Sequence, residues 1–269
     1  MRFIKVILMV MLVLVSGLYA FTAISGQISG RDEGPRIRCE EGELAVSVRD
    51  DEAVLLAGVT ASDAQDGDLT GKIHIQGISK LITDNTARIS YIVFDSHGNF
   101  AATSRMIRYT DYSRPHISIR TPLIYREGET IKLLDRLDAR DVLDGDVTNA
   151  IRVSALNATS DPDVWTVGIQ VTNSMGDTTY LDLPIIIHTG LVVRPRVMLS
   201  QYLVYQQTGE PFRAEDYLTG VETPIGPGET GDVIITGQVD TSEPGTYYIY
   251  YRYPYGITTG LSVLTVVVR

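Results

Sequence analysis

Cysteine is almost absent. Cys39 stands alone in 269 residues, so no intrachain disulfide, four-cysteine zinc site or CxxC redox pair can be built, and an unpaired thiol of this kind most often behaves as a small buried hydrophobe. Lysine is scarce too, at four residues, and no basic run exists in a chain of net charge −10. That balance argues against a nucleic-acid partner, whose phosphates draw affinity from clustered Lys and Arg. The four histidines, His74, His97, His116 and His188, are scattered without an HExxH spacing or a neighbouring Cys. No GxSxG elbow, phosphate-cradling glycine loop or dinucleotide fingerprint occurs either. Acidic pairs are plentiful, but glycosidase chemistry needs two carboxylates facing across a cleft. No nucleophile, base and orienting group come together in this sequence, and it reads as non-enzymatic.

What is present is apolar material: 44% hydrophobic against 21% charged residues, enough for packed cores in more than one domain. The first 26 residues open with Arg2 and Lys5 and then run from Val6 to Ile24 without a charge. Such a run is long enough to cross a bilayer as a helix, with its positive flank held in the cytoplasm. Residues 1–30 are therefore expected to form a signal-anchor or a signal peptide. Ala23 and Ser25 would allow cleavage before Gly26, but the apolar run is long for a cleaved signal, and a retained anchor is favoured. The far end, "LSVLTVVVR", alternates like a final strand and offers no second span.

Beyond residue 30 the chain repeats itself. "GPRIRC", "RPHISI" and "RPRVML" place Pro35, Pro115 and Pro195 at intervals of 80. Between the first two copies an ungapped offset of 78 aligns Asp63 with Asp141, Asp66 with Asp144, Asp68 with Asp146 and Gly98 with Gly176. The third copy matches through "TSEPGTYYIYY" against "TSDPDVWTVGI", with "ETPIGPGE" read as an insertion. A period this long marks serial modules, here residues 31–113, 114–193 and 194–269.

Alternation at period two shows what each module is. Ile89, Tyr91 and Val93 share one face of "ARISYIVFDSHGN", and Trp165, Val167, Ile169 and Val171 share one face of "WTVGIQVTNSMGD". Each run ends in a turn whose glycine, Gly98 or Gly176, can take positive φ, and a returning strand follows. No sustained helical stripe appears. Seven short strands in about eighty residues predict a β-sandwich, so the fold class is all-β: three tandem immunoglobulin-like sandwiches behind one N-terminal helix. The boundary prolines stiffen short linkers, and the expected arrangement is a semi-rigid rod of three.

The order "VTASDAQDGDLTGKI", a strand with Tyr91, "FDSHGN", "SRMIRYTD" and an "RP" junction resembles the bacterial immunoglobulin-like domains, of the cadherin and hyalin-repeat-like kind, found in tandem on Gram-positive surface proteins. The resemblance covers residues 35–112 and 115–190 well and the third module in part. It implies stalks, spacers or adhesive modules outside the cell, without catalytic residues of their own. The expected function is thus an exported, membrane-tethered protein of adhesion or recognition, whose partner is a protein or a cell-wall glycan. The alternative is a spacer or assembly subunit of an envelope complex, held by its N-terminal helix.

Two features remain as candidate sites. The acidic turns "QDGDLT" and "LDGDVT" present Asp63, Asp66 and Asp68 in one module and Asp141, Asp144 and Asp146 in the next. These could be three ligands of a calcium shell, which needs six to eight oxygens, or turn residues bonding to backbone amides two positions on. The third module aligns at this place through "TGDVI", keeping Gly231 and Asp232, and the loss of the first carboxylate and the threonine favours the turn. No other cofactor is implied. In "GTYYIYYRYPYG" the alignment puts Tyr247, Ile249, Tyr251 and Tyr253 inward and leaves Tyr248, Tyr250 and Arg252 outward. That composition suits a contact surface, and equally a β-strand's ordinary liking for tyrosine.

Overall fold

The computed structural model describes residues 34–190 and 192–269. The apolar N-terminal segment, and the signal or anchor reading with it, lies outside the described residues. Among the described residues no helix is long and apolar enough to cross a membrane. They hold one turn of α-helix, Glu52–Leu55, whose N-terminus is capped by Asp51 accepting from Val54 N at 3.2 Å, and otherwise short 3-10 turns and strands.

The first module contains β1 (Arg36–Cys39), β2 (Leu44–Val46), β3 (Val59–Asp63), β4 (Gly67–Asp68), β5 (His74–Ile78), β6 (Thr86–Phe94) and β7 (Phe100–Tyr109). The second repeats the series as β8 (His116–Ile119), β9 (Ile124–Arg126), β10 (Leu137–Asp141), β11 (Gly145–Asp146), β12 (Arg152–Ala158), β13 (Val164–Thr172) and β14 (Thr178–His188). The third holds β15 (Arg196–Leu199), β16 (Leu203–Gln206), β17 (Leu218–Thr223), β18 (Gly226–Gly228), β19 (Ile234–Thr236), β20 (Gly245–Tyr255) and β21 (Thr258–Val268). Every time, the first, third and fourth strands form one sheet, and the second, seventh, sixth and fifth form another.

The opening segment of each module serves both sheets. β8 pairs antiparallel with β10, the chain then bends through Pro122, and β9 pairs parallel with β14. The same switch, antiparallel then parallel, occurs in the first module and in the third. Proline cannot donate to a ladder, so Pro122 ends one pairing before the next begins.

Alternation then builds the core. Ile117, Leu137 and Ala139 from one sheet meet Val167, Ile169, Val171, Leu181, Leu183 and Ile185 from the other, all buried. At roughly 1.5–3 kcal/mol per buried large aliphatic side chain, this interior dominates the favourable side of folding. Ile89, Tyr91 and Val93 are fully buried in the first module, and Ile249, Tyr251 and Tyr253 are buried in the third. Buried phenols need partners. Tyr91 donates to Leu55 O at 2.7 Å, and Tyr251 donates to Ala214 O at 2.7 Å.

The chain separates into two compact units. One ends at Ile82 and resumes over Thr86–Tyr109; the other comprises Thr83–Asn85 and Thr110–Arg269. Inside the second unit the two sandwiches do not follow each other end to end as the rod expectation had it. They lie side by side. Leu203 of β16 is part of the buried core of the preceding module, and Val164, Ile186, Leu261 and Val263 form a shared apolar cluster with Ile124, Tyr248 and Tyr250. The Tyr205 hydroxyl accepts from Ile117 N and donates to Ile117 O, both at 3.1 Å. Arg269, at the end of β21, reaches back to His116 at the start of β8, Nη2 to Nδ1 at 2.8 Å. The third module therefore runs antiparallel to the second.

The cause is visible in the strands. β21 has seven consecutive buried residues, Gly260 to Val266, and β14 has four, Leu183 to Ile186. A strand that buries both faces reads as a continuous apolar run, and the outer face of each strand is covered by the other module. Leu203→Ala is expected to lower the stability of this unit by about 2–5 kcal/mol, because it opens a cavity in a core shared by two modules. Chemical denaturation checks this; a loss under about 0.5 kcal/mol, the size typical of a surface substitution, would contradict the shared core.

Candidate functional site

The acidic turns join β3 to β4 and β10 to β11. Each carboxylate has a defined hydrogen-bonding task. Asp63 Oδ1 accepts from the backbone N–H groups of Gln65 at 2.7 Å and Asp66 at 2.9 Å, and Asp141 Oδ1 does the same for Leu143 and Asp144. Gly67 and Gly145 follow at φ +76° and +73°, a conformation that glycine adopts without a Cβ penalty. Asp68 and Asp146 accept from Thr70 N and Thr148 N. The two threonine hydroxyls turn back to the strand, where Thr70 Oγ1 accepts from Ala61 N at 3.1 Å and Thr148 Oγ1 accepts from Ala139 N at 3.0 Å.

The middle carboxylate reaches furthest. Asp66 accepts from Ser96 N at 2.6 Å and Ser96 Oγ at 2.7 Å, thirty residues away in the β6–β7 hairpin. Asp144 grips Ser174 N and Ser174 Oγ identically, at 2.6 Å each, in the β13–β14 hairpin. Each motif thus clamps two loops together at the end of its sandwich. The bonds from Ser96 hold the Asp66 carboxyl below the usual carboxylate range, and those from Thr70 and Thr148 do so for Asp68 and Asp146. Among the described residues no three Asp, Glu, His or Cys side chains converge as a cation shell would require.

The two copies differ at one atom. Asp141 Oδ2 accepts from Asn173 Nδ2 at 3.0 Å, whereas the offset of 78 places Asp95 at the corresponding position of the first module, and Asp63 Oδ2 is buried without a hydrogen-bond partner. A carboxylate has no N–H to offer.

The third module corrects the alignment made from sequence. "TGDVI" does not correspond to the acidic turn: Thr230–Asp232 is a 3-10 turn equivalent to Thr70–Lys72. The counterpart of the turn is the stretch read as an insertion, where β17 and β18 pair across Thr223 and Gly226. There Thr223 Oγ1 donates to Gly226 O at 2.7 Å, and no carboxylate is present to clamp the β20–β21 hairpin. The strand register of Val221–Thr223, which sets Thr223 where Asp63 stands in the first module, overrides the letter match at Gly231 and Asp232.

Tyr248, Tyr250 and Arg252 do lie on the face opposite Ile249 and Tyr251, but that face is turned toward the second module. Tyr248 donates to Asp182 O at 2.8 Å, and burial pushes its phenol up to about 12. Tyr250 packs on the cluster of Val164, Ile186, Leu261 and Val263, with the Arg252 guanidinium 5.0 Å from its ring centre. Arg252 Nη2 bonds to Asp161 Oδ2 at 2.8 Å. The contact made by these three residues is within the chain. The four histidines are not brought together into a site.

No protein-family model and no curated protein matches the chain. Solved structures similar to it include CBM51-2 in complex with GlcNAc and INT domains from Clostridium perfringens ZmpB, 21% identical over 55% of this chain and 26% of that one, with a TM-score of 0.23. The protocadherin gamma B4 extracellular domain is 12% identical over 90% of this chain and 50% of that one, with a TM-score of 0.20. Protocadherin gamma B7 extracellular cadherin domains 1–4 are 13% identical over 88% and 77%, with a TM-score of 0.20. The chain spans only 26% to 40% of the length of the first three such structures. At these scores the likeness decides nothing about function.

Because Asp66, Asp68 and Asp146 titrate below their unfolded value of about 3.9, their bonds contribute stability that is fully present above that pH and is lost as pH falls through the lower folded values. Melting temperature is expected to drop on acidification below about pH 4, and Ser96→Ala should flatten that drop. In the same experiment at neutral pH, millimolar calcium and chelator should give equal melting temperatures; a rise with calcium would assign these carboxylates to a metal.

Proposed function

We propose that this chain is an exported, non-enzymatic surface protein that recognises or adheres to a partner outside the cell through its tandem sandwiches. The single observation that supports this best is the use of the acidic motif. The most repeated chemical feature of the chain is committed to clamping loops, in a series of modules that differ mainly in the faces they offer. In this reading the N-terminal segment tethers the modules to the membrane, and the partner is a surface protein or a cell-wall glycan.

A second reading, a spacer or assembly subunit of an envelope complex, is favoured by one specific feature. The tyrosine and arginine face of the third module lies against the second module and so stiffens the chain.

Replacing residues 1–26 with an unrelated membrane anchor separates the two. Recognition through the modules predicts that binding to cells or wall fragments is retained, while assembly through the N-terminal segment predicts its loss. Protease added to intact cells should degrade the modules in either case. A chain that resists until lysis would overturn the export on which both readings rest.

A further inference from the structure

The four-stranded sheet of each module has an outer face, turned away from its own core. In the second module that face, on β13 and β14, carries Val164 and Ile186; in the third, on β20 and β21, it carries Tyr248, Tyr250, Leu261 and Val263. These residues pack on one another. The contact inside the second compact unit is therefore one outer sheet face laid on its counterpart.

The first module has the same sheet. Its outer face is built from cross-strand pairs of β6 and β7: Phe94 with Phe100, Ile92 with Ala102, Ser90 with Ser104 and Arg88 with Met106. Along β6 these positions alternate with the buried Ile89, Tyr91 and Val93. Phe94 and Phe100 are 47% and 64% exposed with ring centres 6.0 Å apart, and Ala102 beside them is exposed too.

The hairpin itself does not require these residues. At the offset of 78 the second module has Thr172 and Thr178, whose hydroxyls bond to each other at 2.8 Å, and it sets Gln170 and Tyr180 where Ile92 and Ala102 stand. A cross-strand aromatic pair steadies a hairpin, but that gain needs neither Ile92 nor Ala102 alongside. The result is an exposed apolar patch on a face that is polar at the same place in the second module.

The chain itself shows what covers a face of this kind, namely the corresponding face of another module. Those of the second and third modules are used on each other, which leaves the first module without a counterpart among the described residues. A second copy of the chain supplies one. A twofold contact needs no surface beyond this patch, because each copy presents the same residues to the other.

We propose that the outer face of β6 and β7 is a self-association surface on which a second copy of this chain packs antiparallel. Side-chain sizes fit that arrangement. With the axis at Ile92 and Ala102, the phenylalanines of each copy lie over Ser90 and Ser104 of the other, where small side chains leave room for a ring. Arg88 and Arg108 stay at the rim, Arg108 already paired with Glu43. So few apolar side chains make a contact at the low end of specific interfaces, below roughly 1,200 Å² in total, and the association is weak and concentration-dependent. It is compatible with recognition and with assembly, and its test does not depend on which of them holds.

The test uses two differently tagged full-length copies, both Cys39→Ser, co-expressed and oxidised in isolated membranes. With Ala102→Cys in both, disulfide-linked dimers carrying the two tags should exceed by at least tenfold those formed with Thr60→Cys, an exposed position on the opposite sheet. Adding Phe94→Thr and Phe100→Thr, the residues that the second module uses, should cut the linked dimer at least tenfold. Ser104→Arg, which leaves the phenylalanines intact and fills the space meant for the facing ring, should do the same. Equal linkage at positions 102 and 60 would mean that the copies meet only through their N-terminal segments and would overturn the surface. Linkage of Ala102→Cys to other proteins but not to the second copy would overturn it as well, and so would linkage that survives either set of substitutions.

Discussion

A strand has two faces, and an apolar face must be covered. Most strands of this protein turn one face to the interior of their own sandwich and leave the other to solvent, as in β7, where Ile107 and Tyr109 are buried, Arg105 turns inward beside them to donate to Leu55 O and Ala57 O, and Arg108 faces out. β14 and β21 are different, with consecutive buried residues along their length. Neither module can satisfy such a strand by itself. Placing the third module antiparallel against the second covers both at once, and this one constraint sets what the remaining surfaces are able to do. It takes Tyr248, Tyr250 and Arg252 out of the solvent, brings Arg269 to His116, and leaves a groove at one margin of the contact.

The polar groups obey a parallel rule. Buried or half-buried carboxylates need donors, and the acidic turns obtain them from backbone amides and from Ser96 and Ser174 in neighbouring hairpins. The clamps lie at the ends of the first two sandwiches, where the acidic turn and the hairpin would otherwise each be held only by its own turn. The third module closes the same end with Thr223 and a Gly-Pro-Gly strand, in a turn that has lost all three carboxylates.

Much of this was legible in the residues. Ile89, Tyr91 and Val93, then Val167, Ile169 and Val171, give the inward faces by alternation, alignment with the second module adds Ile249, Tyr251 and Tyr253, and Gly98 and Gly176 mark the hairpin turns. The acidic turns were readable as two alternatives, since a spacing of Asp residues does not say which donors lie thirty positions away. The side-by-side contact was missed for a physical reason. Pro115 and Pro195 look like equivalent junctions, whereas the contact is written in the runs "LPIII" and "SVLTVVV", which alternate far less than a half-exposed strand should. Those runs were the available signal. The mistaken placement of Gly231 and Asp232 had a similar origin, in letters weighted above hydrophobic register.

The most direct measurement is the distance between His116 and Arg269. Spin labels at His116→Cys and Arg269→Cys, with Cys39→Ser as background, report it by pulsed electron resonance. Antiparallel packing predicts a separation of about 20 Å or less, given side chains in hydrogen-bond contact and the length of two label linkers. Two sandwiches placed end to end, each with strands of about ten residues at about 3.4 Å per residue, would separate the labels by roughly 70 Å. A distribution centred near the longer distance would contradict the account.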